Sequence, residues 1–130
     1  MRTEINRVVL TGYVGNVPEI RYTSDGKKIG TMSVATHRRE KESFTDWHRV
    51  VTYDESLADI MEKEVERGSY VYVEGRLQTR KWQDKLHKDH YTTEVILDFT
   101  DHSLLVLKHE KYQVVQGPSL LKEFLEERES

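Results

Sequence analysis

Between residues 56 and 68 the spacing of apolar side chains lengthens from two residues to four, and that change of period limits the folds open to this chain. Leu57, Met61 and Val65 recur every four residues with Ala58 and Ile60 beside them, as on the buried stripe of a helix. Ser56-Leu-Ala-Asp59 has the form of a capping box and Gly68 stands where such a helix would stop. The sequence therefore predicts one amphipathic helix of about a dozen residues, acidic on its outer side. Before and after it the period is two, that of a strand with unlike faces.

Residues 5–14 are β-branched and apolar and predict a first strand, bent at Gly12, with Gly15 a second point where another group can approach closely. Residues 20–23 form an edge segment before the Ser24-Asp-Gly26 turn. Residues 28–36 alternate as a second strand, and residues 37–43 are a polar loop or hairpin tip. The third strand, residues 46–53, puts Trp47, Arg49, Val51 and Tyr53 on one face and His48, Val50 and Thr52 on the other. After the helix, residues 70–82 place Val71, Val73, Gly75 and Leu77 inward and Tyr70, Tyr72, Glu74 and Arg76 outward. Residues 91–99 make the fifth strand, and residues 103–107 a short last piece.

Three strands, one helix and two strands match the plan of an all-β OB-fold, a five-stranded Greek-key barrel with one α-helix between strands 3 and 4. Closing the sheet removes most of the edges that five strands would expose. A small sandwich with one crossover helix gives a similar string of elements. A chain of 130 residues suits one core of ordinary size. Residues 1–107 are expected to form the OB-fold domain, and residues 108–130 a C-terminal extension.

The formal charge is -3, yet the charges are segregated. Asp54, Glu55, Asp59, Glu62, Glu64 and Glu66 outnumber Lys63 and Arg67 around the helix, whereas Arg76, Arg80, Lys81, Lys85 and Lys88 face only Asp84 in the later hairpin. Local field, not net charge, decides where a polyanion lands. Trp82 sits inside this basic hairpin with no apolar neighbour in sequence, an arrangement suited to stacking unpaired bases while cations neutralise phosphates.

Other chemistries find little support. Zero cysteines exclude a disulfide framework and thiol catalysis. No apolar run is long enough for a membrane span or a secretory leader, so a cytoplasmic protein is expected. His87-Lys-Asp-His90 brings two imidazoles and a carboxylate together, but a metal site needs three or four converging ligands, and none is assigned. There is no nucleophile motif, carboxylate pair or Gly-rich phosphate loop of the form an enzyme would need; no catalytic residue and no cofactor are expected.

The chain resembles the bacterial and mitochondrial single-stranded DNA-binding protein family. The likeness rests on Asn6-Arg-Val-Val-Leu-Thr-Gly12 with Gly15, Pro18-Glu-Ile-Arg-Tyr22, Ser33-Val-Ala-Thr36, Asp46-Trp-His-Arg-Val-Val51, Gly68-Ser-Tyr-Val-Tyr-Val-Glu-Gly-Arg-Leu77, Thr79-Arg-Lys-Trp82 and Tyr91-Thr-Thr-Glu-Val95, collinear over roughly residues 5–98. The resemblance implies an OB-fold homo-oligomer, expected as a tetramer. Such a protein coats single-stranded DNA in replication, recombination and repair without catalysis, in the cytoplasm at the nucleoid or in an organelle. It further implies Trp47, Tyr53 and Trp82 as base-stacking residues and Arg49, Arg80 and Lys81 as phosphate partners. Arg7, Arg21, Arg38, Arg39, Arg67, Arg76 and Lys85 are further phosphate-binding candidates, Arg38 and Arg39 standing where many relatives carry one more aromatic ring.

Two other departures matter. Asp54-Glu55 follows Tyr53 where relatives often have a small residue and a lysine. The end lacks the acidic tip through which relatives recruit replication and repair proteins. Instead Gly117-Pro118 forms a hinge before a short amphipathic helix bearing Leu120, Leu121, Phe124 and Leu125, expected to pack on its own barrel or across a subunit interface. These departures leave a rival reading, an OB-fold adaptor of primosome or plasmid type that works mainly through protein contacts.

Overall fold

The computed structural model describes residues 3–40, 43–98 and 103–107. The expected C-terminal helix lies outside the described residues. Within them the order is β1 (Val8–Val14), β2 (Glu19–Tyr22), β3 (Lys28–His37), β4 (Thr45–Thr52), α1 (Glu55–Glu64), β5 (Tyr70–Gln83), β6 (Asp89–Leu97) and β7 (Leu104–Leu107).

Five of the strands close on one another. Hydrogen bonding runs β1-β3-β4-β6-β5, and β5 returns to β1 from Val8↔Gly75 to Tyr13↔Tyr70. All these pairs are antiparallel except β4 with β6, where Val50↔Val95 to Thr52↔Leu97 run parallel. This is the expected OB-fold; β2 and β7 are short additions, paired to β3 and β5. Gly12 lies where β1 passes from β5 toward β3, and a Cβ there would stand 2.3 Å from the Ala35 carbonyl oxygen, so the close approach requires glycine. The first strand begins at Val8, later than the alternation predicts, because the Asn6 side chain takes over the ladder, accepting from Leu77 N–H and donating to its carbonyl, both at 2.8 Å.

The inner faces meet as one core. Val14, Met32, Val34, Val50, Val71, Val73, Val95, Leu97 and Leu104 pack with Leu57, Met61 and Val65 from the helix segment. Each such side chain removed from water contributes about 1.5–3 kcal/mol before chain entropy is counted. The helix differs from expectation at both ends. Asp54, not Ser56, is the N-cap: its carboxylate accepts the Leu57 N–H at 3.0 Å and sits at the positive end of the helix dipole. The helix stops at Glu64 because Val65 turns extended to enter the core, leaving Gly68 to take a positive φ of 89° in the following turn. Outside the core, buried Lys28 ties α1 to β3, donating to Asp59 at 2.5 Å and Glu62 at 2.7 Å.

Burial within residues 70–77 also differs from expectation at two places. Tyr70 and Tyr72 do project from the outer face, yet both are fully buried, because Val9 and Tyr13 of β1 and Leu105 and Leu107 of β7 form a second apolar cluster around them. Leu77, expected inward, is 49% exposed, because β5 has by then left β1 and is paired with β6 alone. Beyond that point the two strands form a hairpin arm reaching to Gln83 and Asp89.

Candidate nucleic-acid interface

Registers place one continuous outer face across β2, β3, β4, β6 and the far half of β5. Ala35↔Trp47, Ser33↔Arg49 and Thr31↔Val51 pair β3 with β4, and Arg21↔Ile29 extends the face to β2. On the hairpin, Arg76↔Ile96, Gln78↔Glu94, Arg80↔Thr92 and Trp82↔His90 share a side, since residues two apart in a strand point the same way. A groove of about 270 Å³ crosses this face, lined by Arg21, Ile29, Thr31, Arg49, Val51, Tyr53, Arg80 and Glu94.

The three rings singled out from the sequence are open on this molecule. Trp47 is 60% exposed, Tyr53 51% and Trp82 40%. Trp47 is seated on the backbone of Gly15, where a Cβ would fall 2.2 Å from the indole; any other residue would displace the ring. Tyr53 directly follows β4 and forms part of the groove wall. Trp82 stands near the hairpin tip, its Nε1–H donating to Thr92 Oγ1 at 2.8 Å.

The basic candidates divide by location. Arg21, Arg49 and Arg80 line the groove, and Arg76 lies on the same face, held to Asp98 at 2.9 Å and to Gln78 at 2.8 Å. Lys81, adjacent in sequence to Arg80 and Trp82, points to the other side of the arm, opposite Tyr91 and 3.3 Å from Asp89. Arg7 pairs with Glu74 beside the second apolar cluster. Arg38 is on the reverse side of the β3–β4 ladder from Trp47, forked onto Asp46 at 3.1 and 3.3 Å and lying 5.5 Å from the centre of the Phe44 ring. That hydrogen-bonded pair holds the Asp46 carboxyl below the usual carboxylate range. Arg39, Arg67 and Lys85 have no ion-pair partner among the described residues.

The charged residue of the groove that the sequence pattern does not single out is Glu94. Glu94 is 2% exposed, and its two oxygens accept from Arg49 Nε at 2.5 Å and Arg80 Nε at 2.9 Å. A buried carboxylate without partners would be costly, so this one fixes both guanidinium groups, one from β4 and one from β5, by their inner nitrogens. Its signal was a lone acid before Val95-Ile-Leu97 in a strand otherwise free of charge from Tyr91 onward. Exposed Tyr22 and Tyr91 were not assigned to stacking either.

Open rings and anchored arginines share one sheet face of an OB-fold barrel, which sets the chain among OB-fold proteins with an aromatic and basic outer face. The chain belongs to the single-strand binding protein family, whose model matches residues 5–103. It is 45% identical over 116 residues to the single-stranded DNA-binding protein of Rickettsia prowazekii (strain Madrid E), covering 84% of this chain and 76% of that one. The Rhizobium meliloti (strain 1021) single-stranded DNA-binding protein is 43% identical over 117 residues, 82% of this chain and 66% of that protein. Among solved structures, a Plasmodium falciparum SSB complex with ssDNA superposes with a TM-score of 0.72 at 35% identity, over 83% of this chain and 99% of that one.

Proposed function

We propose that this protein binds single-stranded DNA without catalysis and with little regard to sequence, protecting strands exposed during replication, recombination and repair. Bases stack on Trp47, Tyr53 and Trp82, and phosphates follow Arg21, Arg49, Arg76 and Arg80, with Lys85 at the hairpin tip. The observation that carries this reading is that three rings, from the β4 segment and from the remote β5 arm, stand 40–60% exposed on a face whose groove is lined by arginines. Each stack is worth about 1–3 kcal/mol and accepts any base, since every base has a π face. Phosphate contacts add affinity but carry no base information. Arg49 and Arg80 meet Glu94 through their Nε atoms, and in this reading their terminal nitrogens serve the phosphates.

The protein works as a homo-oligomer, a tetramer by its family, in the cytoplasm at the nucleoid. Among the described residues no helix is long and apolar enough to cross a membrane. The adaptor reading is not favoured, because an adaptor has no use for open indoles beside anchored arginines. Fluorescence anisotropy of labelled oligo(dT) tests the proposal: saturable binding that weakens steeply with salt and is far weaker for duplex DNA is expected. Equal affinity for duplex and single strand would refute it.

A further inference from the structure

The His87-Lys-Asp-His90 stretch forms part of a hydrogen-bonded turn beside Trp82. In the turn joining β5 to β6, Asp84 N–H donates to the Lys88 carbonyl and His87 N–H to the Asp84 carbonyl, both at 3.0 Å. Asp84 Oδ1 accepts the N–H groups of Leu86 at 2.8 Å and Lys88 at 3.0 Å. Its Oδ2 is left for His90 Nε2, 2.8 Å away. Held in this way, the imidazole stacks on Trp82 with centroids 4.6 Å apart and planes 21° from parallel. The indole is therefore pinned at its edge by Thr92 and backed on one face by His90.

We propose that His90 belongs to the single-strand contact: it backs the Trp82 platform, and its protonation cancels the Asp84 charge beside the strand, so that binding tightens as pH falls. This rests on the single-stranded DNA reading above and adds a residue and a pH dependence to it. Histidine changes charge between pH 5 and 8. The hydrogen bond from His90, with those from Lys88 and Leu86, keeps the Asp84 carboxyl below the ordinary carboxylate range, so Asp84 stays anionic across that interval. With His90 neutral, a phosphate arriving at Trp82 meets an uncompensated carboxylate; with His90 charged, it meets a neutral pair. The other charged groups nearby are already committed or lie on the turn. Asp89 faces the reverse side and is engaged by Lys81 and Gln83, Arg80 is held by Glu94, and Lys85, His87 and Lys88 complete the turn.

The test uses the full chain and oligo(dT), whose thymines do not titrate in this interval. Wild type is expected to bind about two- to fivefold more tightly at pH 5.5 than at pH 8 beyond any change in His90→Gln, the scale of one exposed charge pair. The salt slope should steepen by up to about 0.7 over the same interval. His90→Arg, cationic at both pH values, should bind more tightly than wild type at pH 8. A second readout needs no DNA. With Trp47→Phe, Trp82 is the one remaining indole, and its emission should fall as a stacked imidazole gains a proton, a change absent when His90→Gln is added. Equal pH ratios in wild type and His90→Gln, with binding intact, would overturn this inference alone. Absence of oligo(dT) binding at every pH would overturn the functional reading as well.

Discussion

Both halves of β5 set aromatic rings on the outer face of the strand, and those rings meet opposite fates. In the first half Tyr70 and Tyr72 are fully buried on the outer face, because β1 and β7 flank them with Val9, Tyr13, Leu105 and Leu107. In the second half Arg80 and Trp82 occupy the same face of the same strand, but β6 is the sole neighbour and offers Thr92, His90 and Glu94 instead of apolar side chains. A ring becomes core where neighbouring strands supply carbon on both sides. It stays available where they supply hydrogen-bond partners that hold its edge.

Substitutions can break or sharpen this contrast. Replacing Trp47 and Trp82 together by Ala should weaken oligo(dT) binding by about 2–6 kcal/mol. The thermal midpoint should barely move, as exposed positions usually change stability by no more than about 0.5 kcal/mol. An unfolded double variant would place the open half in the core after all. Tyr70→Ala should do the reverse, lowering stability by about 3–5 kcal/mol in urea denaturation. A loss below about 1 kcal/mol would show that its burial carries little weight.

Smaller effects separate neighbours. Arg80→Ala should reduce the salt slope of oligo(dT) binding by about 0.7, and Lys81→Ala by less, because their side chains leave opposite sides of the arm. Identical slopes would mean that the strand wraps both sides. Lys28→Met should lower stability at pH 7, and its difference from wild type should shrink in acid. The hydrogen bond from Lys28 depresses the Asp59 pKa, so that contribution is present above the ordinary carboxylate range and lost as pH falls through the depressed value. The Lys28 pKa is raised, first by its hydrogen bonds to Asp59 and Glu62, so its contribution is intact below the ordinary lysine range and lost only as pH climbs above it. A difference independent of pH between 2 and 7, followed by urea midpoints, would contradict the ion-pair account. Smallest of all, Tyr72→Phe should be neutral or stabilising within about 1 kcal/mol, because the buried Tyr72 hydroxyl has no hydrogen-bond partner among the described residues.

The succession of strands and the single helix along the chain, and the Trp47-Arg49-Tyr53 face, were legible from period, since a closed barrel preserves the alternation that a strand shows in sequence. Contacts that depend on which strands become neighbours were not. Nothing local to Tyr70 announces β7, and nothing local to Glu94 says that Arg49 and Arg80 will converge on it from two other strands. The family resemblance implies Lys81 as a phosphate partner together with Arg80, although the period-two rule already puts their side chains on opposite sides of the strand. At the helix start, Asp54 and Ser56 are both good caps by chemistry. Only the backbone path out of β4, where Thr52 Oγ1 accepts the Asp54 N–H at 3.2 Å, selects the first.

The most direct test follows indole emission while oligo(dT) is added to two single-tryptophan proteins, one retaining Trp47 and one retaining Trp82. Stacking on open rings predicts saturable quenching in both, reversed by salt in step with release of the strand. Emission that stays constant in both while anisotropy shows DNA bound would mean that the bases rest elsewhere.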